Sequence, residues 1–344
     1  MSAADIAMIN KSMSTLMLTE TKHLEKQVVD TPVPKTDEVL IEVQAASLNH
    51  REIWISKGLY PGMKLPCSLG ADGSGKVVAV GDKAHEHWLD KDVICYPGKG
   101  WGDNDNAPGD AFRVFGMPEP GFISKYIAVP VENLVNKPAH LSWEEAAAFP
   151  VAGLTAWRAV NRHGGVNASS KVLISGIGGG VAQAALLFCV ALGAEVYVTS
   201  SSEEKIADAV ASGAKFGANY KEKHWEKTLL EMSGGIDVII EGAPAAKGSH
   251  YLNLLNQGGK LIVYGATSSF ETTLNIPAFF LKHASLIGTA MGTLEEFGQM
   301  IQFIEEKQLR PKIHKVFPFS DVVEAFKELE SSKQVGKLVI NCFE

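Results

Sequence analysis

From Lys171 onward, short apolar runs rich in β-branched residues alternate with stretches of helical spacing. The runs Lys171–Ser175, Glu195–Thr199, Ile236–Ile240 and Lys260–Tyr264 read as strands, each a brief block bounded by turn-forming residues. Between them, Val181–Leu192, Glu203–Ser212, His224–Met232 and Ala246–Asn256 carry helix-like patterning. Each helix must return the chain to the same sheet edge, so this alternation predicts parallel strands and a doubly wound α/β sheet.

The segment Ser14–Pro138 follows a different rhythm. Its apolar runs, Val39–Val43, Lys76–Val80, Lys91–Tyr96 and Ile123–Val129, are short and separated by Gly, Pro and Asp turns, which predicts irregular β structure. A helix and a strand return at Asp321–Glu330 and Lys337–Asn341, after Pro311 and the Phe317-Pro318-Phe319 break, and we read them as rejoining the first domain. The predicted organisation is therefore 14–147 with 291–344 as one domain, and 148–290 as the other. No internal repeat suggests a solenoid.

A chain of 344 residues suits two hydrophobic cores, and 46% hydrophobic with 21% charged residues excludes the disordered and collagen-like classes. A net charge of −7 without a Lys/Arg cluster argues against a nucleic-acid partner. The longest apolar stretches, such as Val181–Leu192, fall short of the roughly 20 residues of a membrane span. Met1–Met13 lacks an apolar or Arg-rich targeting pattern, so a cytoplasmic location is expected. Cys67, Cys95, Cys189 and Cys342 lie far apart without a CxxC pair, which fits reduced thiols.

Candidate chemistry begins at Ser175-Gly176-Ile177-Gly178-Gly179-Gly180-Val181-Ala182, which follows a strand and opens a helix. Glycines in that context let backbone N–H groups approach a pyrophosphate at the helix N-terminus. Gly178, Gly179, Gly180 and Val181 are thus candidate cofactor contacts, although a strict GxGxxG frame from Gly176 ends on Val181 rather than glycine. The second strand ends in Thr199-Ser200-Ser201-Ser202, where a carboxylate would be expected for NAD. Hydroxyls at Ser200 and Ser201 can donate to a 2′-phosphate and Lys205 can supply charge, so NADPH is the expected cofactor. The alternative is that Ser202 only caps the next helix, and the two roles are compatible. Ala243, Gly265 and Ala266 follow later strands at the sheet edge where dinucleotides bind.

Asn49-His50-Arg51-Glu52, Gly58-Leu59-Tyr60-Pro61, Leu69 to Gly75, Gly121 to Tyr126, Ala152 to Trp157 and Gly336-Lys337 resemble, in order and spacing, the medium-chain dehydrogenase/reductase superfamily. The resemblance implies a GroES-like irregular β-barrel catalytic domain, a Rossmann domain and a homodimer, with the strand near Ser285–Gly288 as a partner edge. In its zinc alcohol dehydrogenases a Cys, a His and a Cys hold the metal. By spacing those places fall here on Asn49, Ala71 and Val151, none of which offers a thiolate or imidazole. No cysteine-rich lobe follows Tyr96 either, and 98–116 is a Gly/Asp/Asn-rich loop. No metal is expected, and His85-Glu86-His87 reads as an exposed turn. These departures resemble the zinc-free, quinone oxidoreductase-like branch.

Without a Lewis acid, simple alcohol oxidation loses its main source of alkoxide stabilisation. Hydride arriving at a conjugated enone or quinone instead spreads charge onto a carbonyl oxygen, which a few donors can stabilise. Tyr60 matches a tyrosine that lines the active site in quinone oxidoreductases and enoyl thioester reductases, as a donor or as a pocket wall. Asn49 could bind the nicotinamide ribose or the substrate carbonyl, or hold its loop as an Asx turn. Thr155 resembles a threonine that packs against the nicotinamide, and Tyr220 belongs to a segment resembling one that flanks the adenosine. His50 is read as approaching the cofactor phosphates, relaying protons, or lying on the surface. The expected function is a zinc-independent, NADPH-dependent quinone or enone reductase. Two alternatives stay open: a 2-enoyl thioester reductase and a non-catalytic NADPH-binding redox sensor.

Overall fold

The strand Glu38–Ser47 organises the first half of the molecule, because its apolar residues alternate sides and three other strands pair with it. In this computed structural model, which describes residues 11–244 and 249–341, Asp72–Val80 runs antiparallel along its whole length, ending with Ser47 opposite Asp72. On its other edge, Tyr126–Pro130 pairs with Glu38–Glu42 and the C-terminal strand Lys337–Asn341 pairs with Ala45–Ser47. That last pairing sets Val339 against Ser47, and the Leu48 N–H donates to the Leu338 carbonyl at 3.0 Å. Lys337 is thereby brought beside Asn49, from almost the other end of the chain. The core beneath contains Leu16, Val39, Ile41, Ile53, Phe122, Phe326 and Ile340, all buried.

This β unit runs to Val151 and resumes at Thr293, and a second unit spans Ala152–Gly292. The second is a six-stranded parallel sheet in the order Phe216–Asn219, Glu195–Ser200, Lys171–Ile174, Ile236–Glu241, Leu255–Val263, Ser285–Gly288. Helices Gly180–Ala191, Glu203–Ala211 and Trp225–Ser233 fall within a residue of the helices expected from spacing. The fold is the expected combination of a GroES-like β domain and a Rossmann-type α/β domain.

Two elements depart from the sequence reading. The strand Phe216–Asn219 is too short and too rich in small residues to signal itself. Its Gly217 is demanded by packing, since a Cβ there would stand 2.4 Å from Ile206 Cγ2. The helix expected over Ala246–Asn256 ends two residues early: among the described residues it is helical over Ser249–Leu254, and Leu255 already belongs to a strand. Pairing of Ile236 with Leu255 and a register shift before Val238 end the helix there, with Gly258 turning at φ +75°. Residues 245–248 lie outside the described residues, as do 1–10 and Cys342.

Lys83–Trp88, which carries His85 and His87, is an exposed 3-10 turn whose Ala84 N–H is capped by Asp82 at 2.8 Å. The 98–116 loop is held at its base by pairing of Gly98–Lys99 with Arg113–Val114 and by an edge-to-face contact of Trp101 and Phe112 at 5.0 Å. Cys67, Cys95 and Cys189 are buried free thiols, and burial pushes the Cys95 and Cys189 thiols far above their usual range. No helix among the described residues is long and apolar enough to cross a membrane.

Candidate active site

Asn49 caps the helix His50–Ser56, and its backbone N–H donates to the Glu52 carboxylate at 2.7 Å. Its side-chain amide is gripped from both ends. Oδ1 accepts from Lys337 Nζ at 2.5 Å, and Nδ2 donates to Asp72 Oδ2 at 2.9 Å. Lys337 also donates to the Leu48 carbonyl at 2.7 Å and to Asp72 at 3.1 Å. Asp72 is wholly buried and has every oxygen in use: Oδ2 accepts additionally from Ser47 Oγ at 2.9 Å, and Oδ1 from the Val151 N–H at 2.8 Å. Removing two charges from water is costly, and this many hydrogen bonds is what makes the Lys337–Asp72 pair tolerable.

A second buried pair stands on the same helix. Arg51 Nη1 meets Glu52 Oε1 at 3.0 Å and the Phe115 carbonyl at 2.9 Å, and Nη2 meets the Met117 carbonyl at 3.1 Å. The guanidinium lies over the Tyr60 ring, 5.2 Å from its centroid, within cation–π range. Tyr60 itself is half-buried against the core of this unit, after the Gly58 turn at φ +75°. One guanidinium thus ties together the helix start, the tyrosine and the end of the 98–116 loop.

These charges shape one another. Burial pushes the Glu52 carboxyl above its ordinary value, with Arg51 pulling it down and Asp72 pushing it up. Burial disfavours the charged Arg51, yet Glu52 and Tyr60 together hold it above its ordinary value. Burial, then the nearby Lys337 cation, holds His50 below its ordinary value and so neutral around pH 7. His50 can therefore offer a phosphate a neutral N–H but no charge.

The second unit collects the other candidates at the carboxyl ends of its parallel strands. Gly176 turns at φ +59° with nothing within 4 Å of where a Cβ would stand, and around Gly179 the nearest atom is at 4.0 Å. Packing does not require these glycines, and the open space beside their backbone fits a pyrophosphate cradle. Gly179 caps the helix whose first residues are Gly180 and Val181, with Gly178 just before it. The turn is tied down by the Ile177 N–H on the Thr199 carbonyl at 3.1 Å and by Gln183 Nε2 on the Ile177 carbonyl at 2.6 Å.

Ser200 and Ser201 stand at the neighbouring strand end, and Ser202 Oγ caps the next helix by accepting the Lys205 N–H at 3.3 Å. Glu203, a carboxylate that would repel a phosphate, is engaged by Asn219 Nδ2 at 2.7 Å. Burial, opposed by Glu204, lowers the Lys205 ammonium pKa. The Tyr220 N–H donates to the Ser200 carbonyl at 3.0 Å, bringing those two candidates together. The hydroxyls and the ammonium are donors of the kind a 2′-phosphate takes, and the neighbouring carboxylate is already engaged by Asn219.

Further along the same edge, the buried Glu241 accepts from Ser175 Oγ at 2.6 Å and from the Ala243 N–H at 2.5 Å. Burial and this carboxylate raise the Tyr251 hydroxyl pKa far above its usual range. Gly265 packs so closely on Gly242 that a Cβ would meet its carbonyl oxygen at 2.8 Å, and Ala266 follows it. Thr155 is buried, and its Oγ1 accepts the Met291 N–H at 3.1 Å.

Asp72, Lys337, Arg51 and Glu52 entered the sequence reading only as parts of the resembling motifs, with no chemical role, and Glu241 did not enter it. The signal was a charge inside an apolar strand pattern: Asp72 opens Asp72–Val80 and Lys337 opens Lys-Leu-Val-Ile, places where an unpaired charge is almost never buried.

A family profile described as "Alcohol dehydrogenase GroES-like domain" matches residues 35–139, and one described as "Zinc-binding dehydrogenase" matches residues 180–306. The chain is 37% identical over 337 residues to the "Zinc-type alcohol dehydrogenase-like protein YogA" of Leptosphaeria maculans, covering 92% of this chain and 94% of that one. It is 29% identical to the "Quinone oxidoreductase" of Homo sapiens, with 91% of each chain covered. A solved structure titled "Crystal Structure of NAD-dependent alcohol dehydrogenase" superposes with a TM-score of 0.91 at 31% identity, covering 96% of this chain and all of that one. The fold and the site thus define a two-domain oxidoreductase with a dinucleotide-binding half. The chain belongs to the medium-chain dehydrogenase/reductase superfamily.

Zinc is implied by two of these names, and the residues present do not fit it. Asn49, Ala71 and Val151 present an amide, a methyl and an isopropyl group, and the Asn49 amide is occupied by Lys337 and Asp72. Among the described residues no group of three His, Cys, Asp or Glu side chains is placed to hold a metal.

Proposed function

We propose that this chain is a zinc-independent, NADPH-dependent reductase of quinones and enones. The observation that carries the reading is the Asn49 amide fixed between Lys337 and Asp72, at the position to which the resemblance to zinc alcohol dehydrogenases assigns a metal-binding cysteine. An amide of this kind is a hydrogen-bond donor suited to a carbonyl oxygen that gains charge, and it is a poor substitute for a Lewis acid.

When bound, NADPH would supply hydride. Gly176 to Val181 would take its pyrophosphate, Ser200, Ser201 and Lys205 its 2′-phosphate, and Tyr220 its adenosine side. Thr155, Ala243, Gly265, Ala266 and His50 are the further proposed contacts. The remaining N–H of Asn49 and the Tyr60 hydroxyl are the donors proposed for the acceptor oxygen. Arg51, stacked on Tyr60, fixes where the phenol stands and adds a positive charge behind it. Tyr60 is also the proposed source of the proton that completes reduction.

Free thiols at Cys67, Cys95 and Cys189 support a cytosolic setting. We further propose a homodimer through the edge strand Ser285–Gly288, supported by the exposed Leu286 on it and Ile276, Phe280 and Leu281 on the helix before it.

Single-turnover oxidation of NADPH against ortho- and para-quinones, alkyl enones and a crotonyl thioester tests the reading. Turnover of quinones or enones is expected. Oxidation of simple alcohols with no reduction of any conjugated acceptor would overturn it, preference for the thioester would assign the acyl alternative, and tight NADPH binding without turnover would assign a sensor.

A further inference from the structure

We infer that Lys337 and Asp72 act as a positioning pair that dictates which atom the Asn49 amide presents, and that Lys337 supplies a positive charge behind the donor. The inference rests on the proposed role of Asn49. A carboxamide can usually turn over and offer either its oxygen or its NH2 group at little cost. Here that freedom is gone, because an ammonium can only donate and a carboxylate can only accept. Lys337 Nζ at 2.5 Å takes Oδ1, and Asp72 Oδ2 at 2.9 Å takes one N–H of Nδ2. What remains outward is the second N–H and one lone pair.

The two members of the pair are themselves over-determined. Lys337 is held by the Leu48 carbonyl at 2.7 Å, and Asp72 by Ser47 at 2.9 Å and the Val151 N–H at 2.8 Å. Strand register sets all of this, since Ser47 faces both Asp72 and Val339. A cation on the amide oxygen also polarises the group, strengthening its remaining N–H as a donor to a developing negative charge.

The test is a double-variant cycle read three ways. Asn49→Ala and Lys337→Met should each lower kcat on a quinone on the order of 10²-fold with KM for NADPH little changed, and the double variant should fall no more than about 3-fold below either. Multiplicative losses, or a rise confined to KM for NADPH, would overturn the inference by showing that Lys337 works apart from Asn49. Lys337→Met leaves Asp72 unpaired and endangers folding, so Lys337→Met with Asp72→Asn is the second arm. It should restore the melting temperature without restoring kcat, because a neutral amide at position 72 no longer dictates orientation. Recovery of both together would make Lys337 merely structural and overturn the inference.

The third reading does not depend on turnover. The side-chain NH2 resonances of Asn49 in the full chain, identified by their loss in Asn49→Ala, should move in Lys337→Met well beyond the shifts of other amides. Unmoved resonances overturn the inference. Moved resonances in a protein that reduces no quinone or enone leave the positioning pair standing and remove the functional reading instead.

Discussion

Asp72 in the first unit and Glu241 in the second are both wholly buried carboxylates, and the two are held in opposite ways. Asp72 is paired with a cation, Lys337, and surrounded by donors from three separate stretches of chain, at Ser47 and Asn49, Val151 and Lys337. Glu241 is held by neutral donors, the Ser175 hydroxyl and the Ala243 N–H, in the bend that follows its own strand and the one next to it. The first arrangement fixes charge and orientation together, so its parts cannot be exchanged one at a time. The second fixes only geometry, which a neutral isostere can reproduce. On the proposed function, the unit that would meet charge appearing on a substrate uses fixed charges, whereas the one that would seat a preformed anion uses backbone N–H groups, hydroxyls and open space.

The largest test of that contrast is Asp72→Ala. It strands a buried ammonium and leaves the Asn49 and Val151 donors without their acceptor, so a loss of about 3–5 kcal/mol is expected. Glu241→Gln keeps an oxygen for Ser175 and Ala243 and should cost about 1 kcal/mol or less. Chemical denaturation of both variants measures the difference. Equal losses would show that burial alone, not the presence of a cation, distinguishes the two sites.

The same contrast explains what the sequence made legible. The glycine turn, the serines after the second strand and the helix caps are local, and their meaning survives in a window of ten residues. Parallel strands could be read because each carries a short, mostly apolar and β-branched block, and Phe216–Asn219 escaped because Gly217 and Ala218 carry no such signal. Asn49 and Tyr60 were reached through resemblance. Their partners were not, because the approach of Lys337 to Asn49 depends on the pairing of Lys337–Asn341 with Glu38–Ser47, a register that no local pattern announces. The reading that named Asn49 and Tyr60 did not include the cations beside them, Lys337 and Arg51, for the same reason.

A smaller effect is expected in the dinucleotide unit. Lys205 stands on the first turn of its helix, capped by Ser202, while Asn219 engages the neighbouring Glu203. Lys205→Ala should raise KM for NADPH about 10-fold, the worth of one charge-assisted contact to a phosphate, and leave KM for NADH within about 2-fold. The measurement is steady-state kinetics with both cofactors at saturating quinone. A parallel rise in the two constants would place the 2′-phosphate elsewhere, and a fall in kcat alone would mean that this unit too handles charge in the reaction.

The smallest effect sharpens the contrast from the catalytic side, and its sign follows from His50. Burial and the Lys337 cation depress its folded-state pKa below the ordinary 6.5, so the unfolded chain binds the extra proton first as pH falls. Well above pH 6.5 the residue is neutral in both states and contributes no pH dependence. Below that value stability declines with falling pH until the folded pKa is passed, with a slope that is a fraction of about 1.4 kcal/mol per pH unit. His50→Gln removes the titrating group, so melting temperatures taken at pH 7.5 and 5.5 should drop less in the variant than in the parent. Lys337→Met should narrow the parent's drop as well, because it takes away the cation that helps to depress His50. An identical drop in all three proteins would mean that His50 carries none of the pH dependence, and the order of the first unit would then rest on hydrogen-bond geometry alone, as that of the second does.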